Sequence, residues 1–93
     1  MEYYRKAIMQ IESERHFIYV TSKARKIFPD MGEPFTVLVG SKEFECKIDN
    51  HGRIWANSNM LRDFIEFKQW AIFIFTKKNA KLFRLVCEHS TPA

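Results

Sequence analysis

Glycine and proline are scarce in this chain, at three residues each, and cysteine is scarcer, at two. The glycines, Gly32, Gly40 and Gly52, stand far apart. That excludes a glycine-rich loop cradling phosphate, and with it the common nucleotide-binding motifs. Cys46 and Cys87 form no CxxC pair, and each sits inside an apolar run. Free cysteine in such a setting behaves as a small buried hydrophobe rather than a disulfide partner or a metal ligand. The three histidines, His16, His51 and His89, share no HxH or HExxH spacing, so no metal and no cofactor is expected. No stretch approaches the roughly 20 apolar residues a membrane span needs. The opening Met1-Glu2-Tyr3-Tyr4-Arg5-Lys6 lacks the apolar core of a signal peptide. An intracellular protein without a membrane partner is the expectation. Internal repeats, low-complexity tracts and linkers are also missing.

What the chain does have is aromatic bulk. Nine Phe, three Tyr and two Trp in 93 residues, with 46% hydrophobic residues, supply core material for one small domain spanning 1–93. Disordered chains are poor in such residues. The net charge of +4 favours a polyanionic partner, nucleic acid or an anionic surface, and says nothing about fold.

Patterning points to short strands. Arg5–Ile11 alternates as a strand, although Tyr4, Ile8 and Ile11 also fit a helical stripe, and Glu12-Ser13-Glu14-Arg15 breaks the run. His16–Thr21 is rich in β-branched and aromatic residues, as strands are. Ser22 is placed to cap a short helix whose apolar face is Ala24, Ile27 and Phe28, and Pro29 ends it. Phe35–Val39 and Glu43–Ile48, joined across Gly40-Ser41-Lys42, form the clearest hairpin. The turn Asp49-Asn50-His51-Gly52 leads into a strand at Arg53–Trp55. A second short helix is expected over Met60–Phe67, with Leu61, Phe64 and Ile65 on one face. Trp70–Thr76 reads as a covered strand, Lys77–Ala80 as a turn and Lys81–Glu88 as the last strand, with a loose tail over 88–93. The class this predicts is mostly β, an open pseudobarrel of about seven strands with two short helices.

Catalytic machinery is not visible. Glu2, Glu12, Glu14, Asp30, Glu33, Glu43 and Asp49 read as outward or turn residues. Glu45-Cys46-Lys47 is read as part of an outward charged face rather than as a metal-dependent nuclease strand.

Two polar segments do suit binding. One surrounds Arg15 and His16 and precedes Ser22, Lys23, Arg25 and Lys26; the other holds Asn50, His51, Arg53, Trp55, Asn57 and Ser58. Arg and Asn match the major-groove edges of guanine and adenine, while Lys, Ser and a helix start suit phosphate. Trp55 serves either as a stacking platform or as a core residue with its indole N–H at the barrel rim. Lys23, Arg25 and Lys26 serve either as phosphate contacts or as a solvated helix face.

The segment Phe17-Ile18-Tyr19-Val20-Thr21-Ser22-Lys23 running into Ala24–Pro29 resembles the strand-to-helix stretch of the B3-type DNA-binding pseudobarrel. Gly32–Val37, Phe44–Ile48 and Arg53–Trp55 through Leu61–Ile65 are similar to the strands and helix that follow in that family. Thr21-Ser22 stands where the family has Ile-Pro, and Phe67-Lys68-Gln69-Trp70 where it has a Gly-Asp turn. The resemblance spans about Lys6 to Cys87. It implies the fold of plant B3 domains and of restriction-endonuclease recognition domains, and a two-armed grip on the major groove of double-stranded DNA. The first arm falls near Ser13–His16, supported by Lys23 and Arg25, and the second on Asn50–Ser58. A chain this short needs a nuclease or regulatory partner protein for anything beyond recognition. The competing expectation is a β-barrel protein-interaction module or inhibitor, with its aromatics exposed on a partner-facing patch.

Overall fold

The computed structural model describes residues 2–88. Seven strands run β1 (Tyr3–Ala7), β2 (Phe17–Tyr19), β3 (Phe35–Val39), β4 (Lys42–Cys46), β5 (Arg53–Trp55), β6 (Ile72–Asn79) and β7 (Leu82–Glu88). A five-stranded sheet has the order β1-β6-β7-β3-β4, and β2 and β5 form a separate two-stranded ribbon. All pairings are antiparallel except β3 with β7. A bridge between Ile48 and Ile54 ties the strand leaving β4 to the ribbon. The result is a mostly β open pseudobarrel, as the patterning predicts.

Alternation decides what fills it. Phe73, Phe75, Phe83, Val37, Ile18 and Ile54 all point inward and are fully buried. Phe28, just past the first short helix, stacks on Phe83 at 4.5 Å and meets Phe35 and Phe75 at 5.6 Å each. Pairs at these separations add to the burial of their large apolar area. The expected β3–β4 hairpin forms, with Val37 opposite Phe44. Cys46 is buried and Cys87 half-buried, both free thiols.

Several elements differ from the sequence-based expectation. The alternation of Ala7, Met9 and Ile11 does not continue β1; the chain turns into a helix, α1 (Gln10–Arg15). Gln, Glu and Arg are good helix formers. Glu12 reaches back to accept the Met9 N–H at 2.9 Å, and His16 closes the helix in the left-handed region at φ 62°. The two predicted helices are single 3-10 turns, Ala24–Ile27 and Leu61–Asp63. Thr21, not Ser22, caps the first, its Oγ1 accepting the Ala24 N–H. In the second, Leu61 and Ile65 are buried but Phe64 is exposed. Trp70 lies in a turn before β6, exposed and at φ 74°. Lys77–Asn79 belongs to β6, which takes a register shift there, so the turn is Ala80-Lys81. Glu88 ends β7, and the rest of the expected tail, 89–93, lies outside the described residues.

Candidate functional site

The ribbon is the scaffold of the site. Phe17 pairs with Trp55, Ile18 with Ile54 and Tyr19 with Arg53. Because side chains alternate across a strand, Ile18 and Ile54 enter the core while Phe17, Tyr19, Arg53 and Trp55 share the other face. Two further backbone bonds extend the ladder: Ala56 N–H to the His16 carbonyl (2.9 Å) and Val20 N–H to the Gly52 carbonyl (2.7 Å).

Asp49 builds the turn at one end of this ribbon. Its Oδ1 accepts the N–H groups of His51 (2.8 Å) and Arg53 (2.9 Å), and its Oδ2 accepts the Trp55 indole N–H (2.7 Å). This is the Asx turn that aspartate favours, extended by a second strand residue. The Arg53 Nε stands 3.6 Å from the same Oδ2. Burial pushes the Asp49 carboxyl up, but the bonds from Arg53, Trp55 and His51 and the Arg53 charge outweigh it and hold the group below its ordinary value. Gly52, at φ 81°, makes the close approach. A Cβ there would stand 3.3 Å from both Tyr19 Cε1 and the Val20 carbonyl oxygen.

Glu12 builds the other arm. It is 1% exposed, and both its oxygens are engaged. Oε1 accepts the Met9 N–H and pairs with Lys6 Nζ at 2.9 Å; Oε2 accepts the Tyr19 N–H at 2.8 Å. One carboxylate therefore fixes α1 to both β1 and β2. Asn57 links α1 to the segment after β5: its Nδ2 donates to the Arg15 carbonyl (3.1 Å) and its Oδ1 accepts from Arg62 Nη1 (2.9 Å).

Between the arms runs a groove of about 500 Å³, lined by Met9, Ile11, Phe17, Tyr19, His51 and Arg53, with Lys6 and Glu12 at its side. The Arg53 guanidinium carbon sits 5.3 Å from the Trp55 ring centroid and 5.5 Å from that of Phe17. Its Nε is buried without a hydrogen-bond partner. A second groove, about 730 Å³, opens beside Trp55, Ser58, Asn59, Lys47, Asp49 and Glu45.

Of the residues singled out from sequence, Arg15, Ser22, Lys23, Lys26, Asn50, His51 and Ser58 are exposed. His16 is half-buried, and its ring meets Phe67 edge-on at 5.6 Å. Asn57 is half-buried and engaged. Trp55 takes the rim position, half-buried with its indole N–H on Asp49. Arg25, assigned from sequence to the first arm, lies against the second. Its Cζ is 3.5 Å from the position a Cβ on Gly52 would take, its Nη1 is 3.6 Å from Met31 Sδ, and its Nε is buried and unpartnered. Asp49 opens the turn as expected, whereas Glu12 is buried and not the outward acid that the sequence suggested. The Glu three residues after Met9 and the Asp opening Asp49-Asn50-His51-Gly52 were the available signals for both.

Among the described residues no group of three or more His, Cys, Asp and Glu could hold a metal ion. No helix there is long and apolar enough to cross a membrane.

The fold resembles two solved structures. The N-terminal domain of Helicobacter pylori LlaJI.R1 superposes with a TM-score of 0.71 at 13% identity, covering 94% of this chain and 87% of that one. A hypothetical protein of Arabidopsis thaliana superposes with a TM-score of 0.68 at 10% identity, covering 95% and 90%. At such identities the likeness is one of fold, an open pseudobarrel. No family model and no curated protein matches the sequence.

Proposed function

We propose that this chain is a non-catalytic, intracellular, sequence-specific double-stranded DNA-binding domain, holding the duplex between α1 and the Asp49–Gly52 turn. The observation that carries the reading is the state of the charges on the two arms. Glu12 beside the groove and Asp49 in the turn are consumed by backbone N–H groups and by Lys6 and Arg53. The exposed cations Arg15, Lys23 and Lys26 have no such acid partner among the described residues. A surface of this kind attracts phosphate and leaves donors for base edges. The pseudobarrel likeness supports the same reading at the level of fold.

Arg15, Asn50, His51 and the half-buried Arg53 reach base edges. Ser22, Lys23, Lys26 and Ser58 hold phosphates, with Arg25 bracing the turn beside them. His16, Trp55 and Asn57 position the arms rather than read bases. The natural setting is a recognition module of a restriction system or a small regulator, acting with a nuclease or regulatory partner.

The test is a fluorescence-anisotropy titration with randomised duplex DNA at low and near-physiological salt, followed by sequencing of the retained fraction. Salt-sensitive binding with an enriched motif is expected. Absence of binding at low salt removes the reading. The alternative, a protein-interaction module, is favoured by the exposed Phe64, Met60 and Trp70, and would then show as concentration-dependent association.

A further inference from the structure

A groove built only to hold phosphates would be lined with cations and hydrogen-bond donors alone. This one has Lys6, His51 and Arg53 on its border, but apolar side chains share the lining with them. Ile11 and Met9 on the α1 arm are 50% and 47% exposed, and Tyr19 on the floor is 39% exposed. All three line the groove between the arms, together with the buried ring of Phe17. The polar groups are His51 and Arg53 on the turn side and the Lys6–Glu12 ion pair on the α1 side.

From this juxtaposition we infer that the groove reads a methyl group in the major groove, the C5-methyl of thymine or of 5-methylcytosine, beside a guanine taken by Arg53. The inference rests on the DNA-binding reading above and names the base chemistry that this site selects. Thymine is distinguished in the major groove by its C5-methyl as well as by an acceptor, and apolar side chains are what contact that methyl. The 5-methylcytosine methyl is carried on the same ring carbon. Arginine is the usual bidentate partner of guanine O6 and N7. Packing against Phe17 and Trp55 and the Asp49 carboxylate limits where the Arg53 guanidinium can point. Charge complementarity argues for a duplex as the occupant rather than an apolar peptide. The chain carries +4 overall, and the one acid lining the groove, Glu12, is already paired with Lys6, as Asp49 in the adjoining turn is with Arg53.

The experiment starts from the motif that the randomised duplexes yield. Each thymine is replaced in turn by uracil, which deletes only the methyl, and each cytosine by 5-methylcytosine, which adds one. At least one position should change affinity by about fourfold, the equivalent of about 0.8 kcal/mol for one buried methyl at 1.4 kcal/mol per tenfold. Ile11→Ala, an exposed change to a better helix former, should shrink that difference to less than twofold while the protein still binds the uracil duplex. Met9→Gln should act the same way. Salt-sensitive, motif-specific binding in which every uracil and every 5-methylcytosine duplex stays within twofold of its parent overturns the methyl reading and leaves DNA recognition standing. If no duplex is retained at low salt, both fall together, and an apolar protein segment becomes the occupant.

Discussion

Around Phe28, the rings of Phe35, Phe75 and Phe83 gather, with Tyr4 at their edge, and the five-stranded sheet closes over them. Among the described residues twenty buried hydrophobic residues make up the core, and one buried charged residue, Glu12, stands outside that pattern. At the β2–β5 ribbon the construction is different. There the strands are three residues long, and carboxylates do the joining: Glu12 fixes α1, and Asp49 fixes the turn. Apolar packing is non-directional and tolerates repacking, whereas hydrogen bonds fix positions and are costly when half-made. The contrast suits a domain whose sheet must be stable and whose ribbon must hold side chains at set places.

The largest expected effect tests the apolar half. Phe83→Ala removes a fully buried ring that stacks on Phe28 and contacts Phe35. It should cost about 3–5 kcal/mol in denaturant unfolding, the usual range for such truncations. A cost under about 1 kcal/mol would mean that the four-ring cluster is not the keystone of the sheet. Next comes the polar half. Glu12→Ala leaves the Tyr19 and Met9 N–H groups without their acceptor and Lys6 without its partner. Lys6 is 17% exposed and recovers some hydration, so about 2–3 kcal/mol is expected, within the range for buried bonds to charged groups. Equal stability of Glu12→Ala and the parent would erase the contrast between the two regions.

Asp49 sharpens it through pH. Its folded-state carboxyl lies below the ordinary 3.8. A depressed value means the unfolded chain takes up the proton first, so stability falls as pH falls. The Asp49 contribution is present above pH 3.8 and lost as pH drops through the depressed value. Asp49→Asn should therefore flatten the acid limb of a stability-against-pH curve below 3.8. Parallel curves for the two proteins would show that the turn does not depend on the charge. Cys46 behaves oppositely: burial, offset in part by the Asn59 hydrogen bond and reinforced by the Glu45 charge, raises its thiol to about 12.

These two regions were unequally legible. The sheet could be read from its period of two, because Phe44, Cys46 and Ile48 against Glu43, Glu45 and Lys47 leave only one choice of inward face. The hairpin and the order of strands followed from that. Strand and helix periods overlap over short segments, and Ala7, Met9 and Ile11 satisfied the wrong one. The helix at Gln10–Arg15 has a local signal in Glu12 three residues after Met9, but its tie to Lys6 and to the Tyr19 N–H is a tertiary fact that no local pattern carries. Exposure was illegible for the same reason. Phe64 and Trp70 look like core residues in sequence and are 47% and 57% exposed. In the candidate site, residue types pointed to two segments that the fold brings to the β2–β5 ribbon. What each residue does there was hidden, because the bonds of Asn57, the packing of His16 and the position of Arg25 all join segments distant in sequence.

Asn57 gives the smallest effect on stability and the sharpest distinction. Both of its side-chain bonds, to the Arg15 carbonyl and from Arg62, lie at the surface, where water replaces them readily. Asn57→Ala should lower stability by no more than about 1 kcal/mol. Its effect on recognition depends on which region it belongs to. A residue that reads a base edge loses discrimination at one position of the motif when truncated and leaves the other positions unchanged. A strut between α1 and the β5 segment instead lets the arms drift, which weakens every sequence by a similar factor and preserves the ranking among them. The geometry favours the strut, since the amide already has one bond on each side. Sequencing the duplexes retained by Asn57→Ala beside those retained by the parent separates the two. An unchanged motif at lower affinity keeps Asn57 among the positioning residues. A single relaxed position would return it to the base readers and place the contact surface at the His16–Ala56 end of the ribbon.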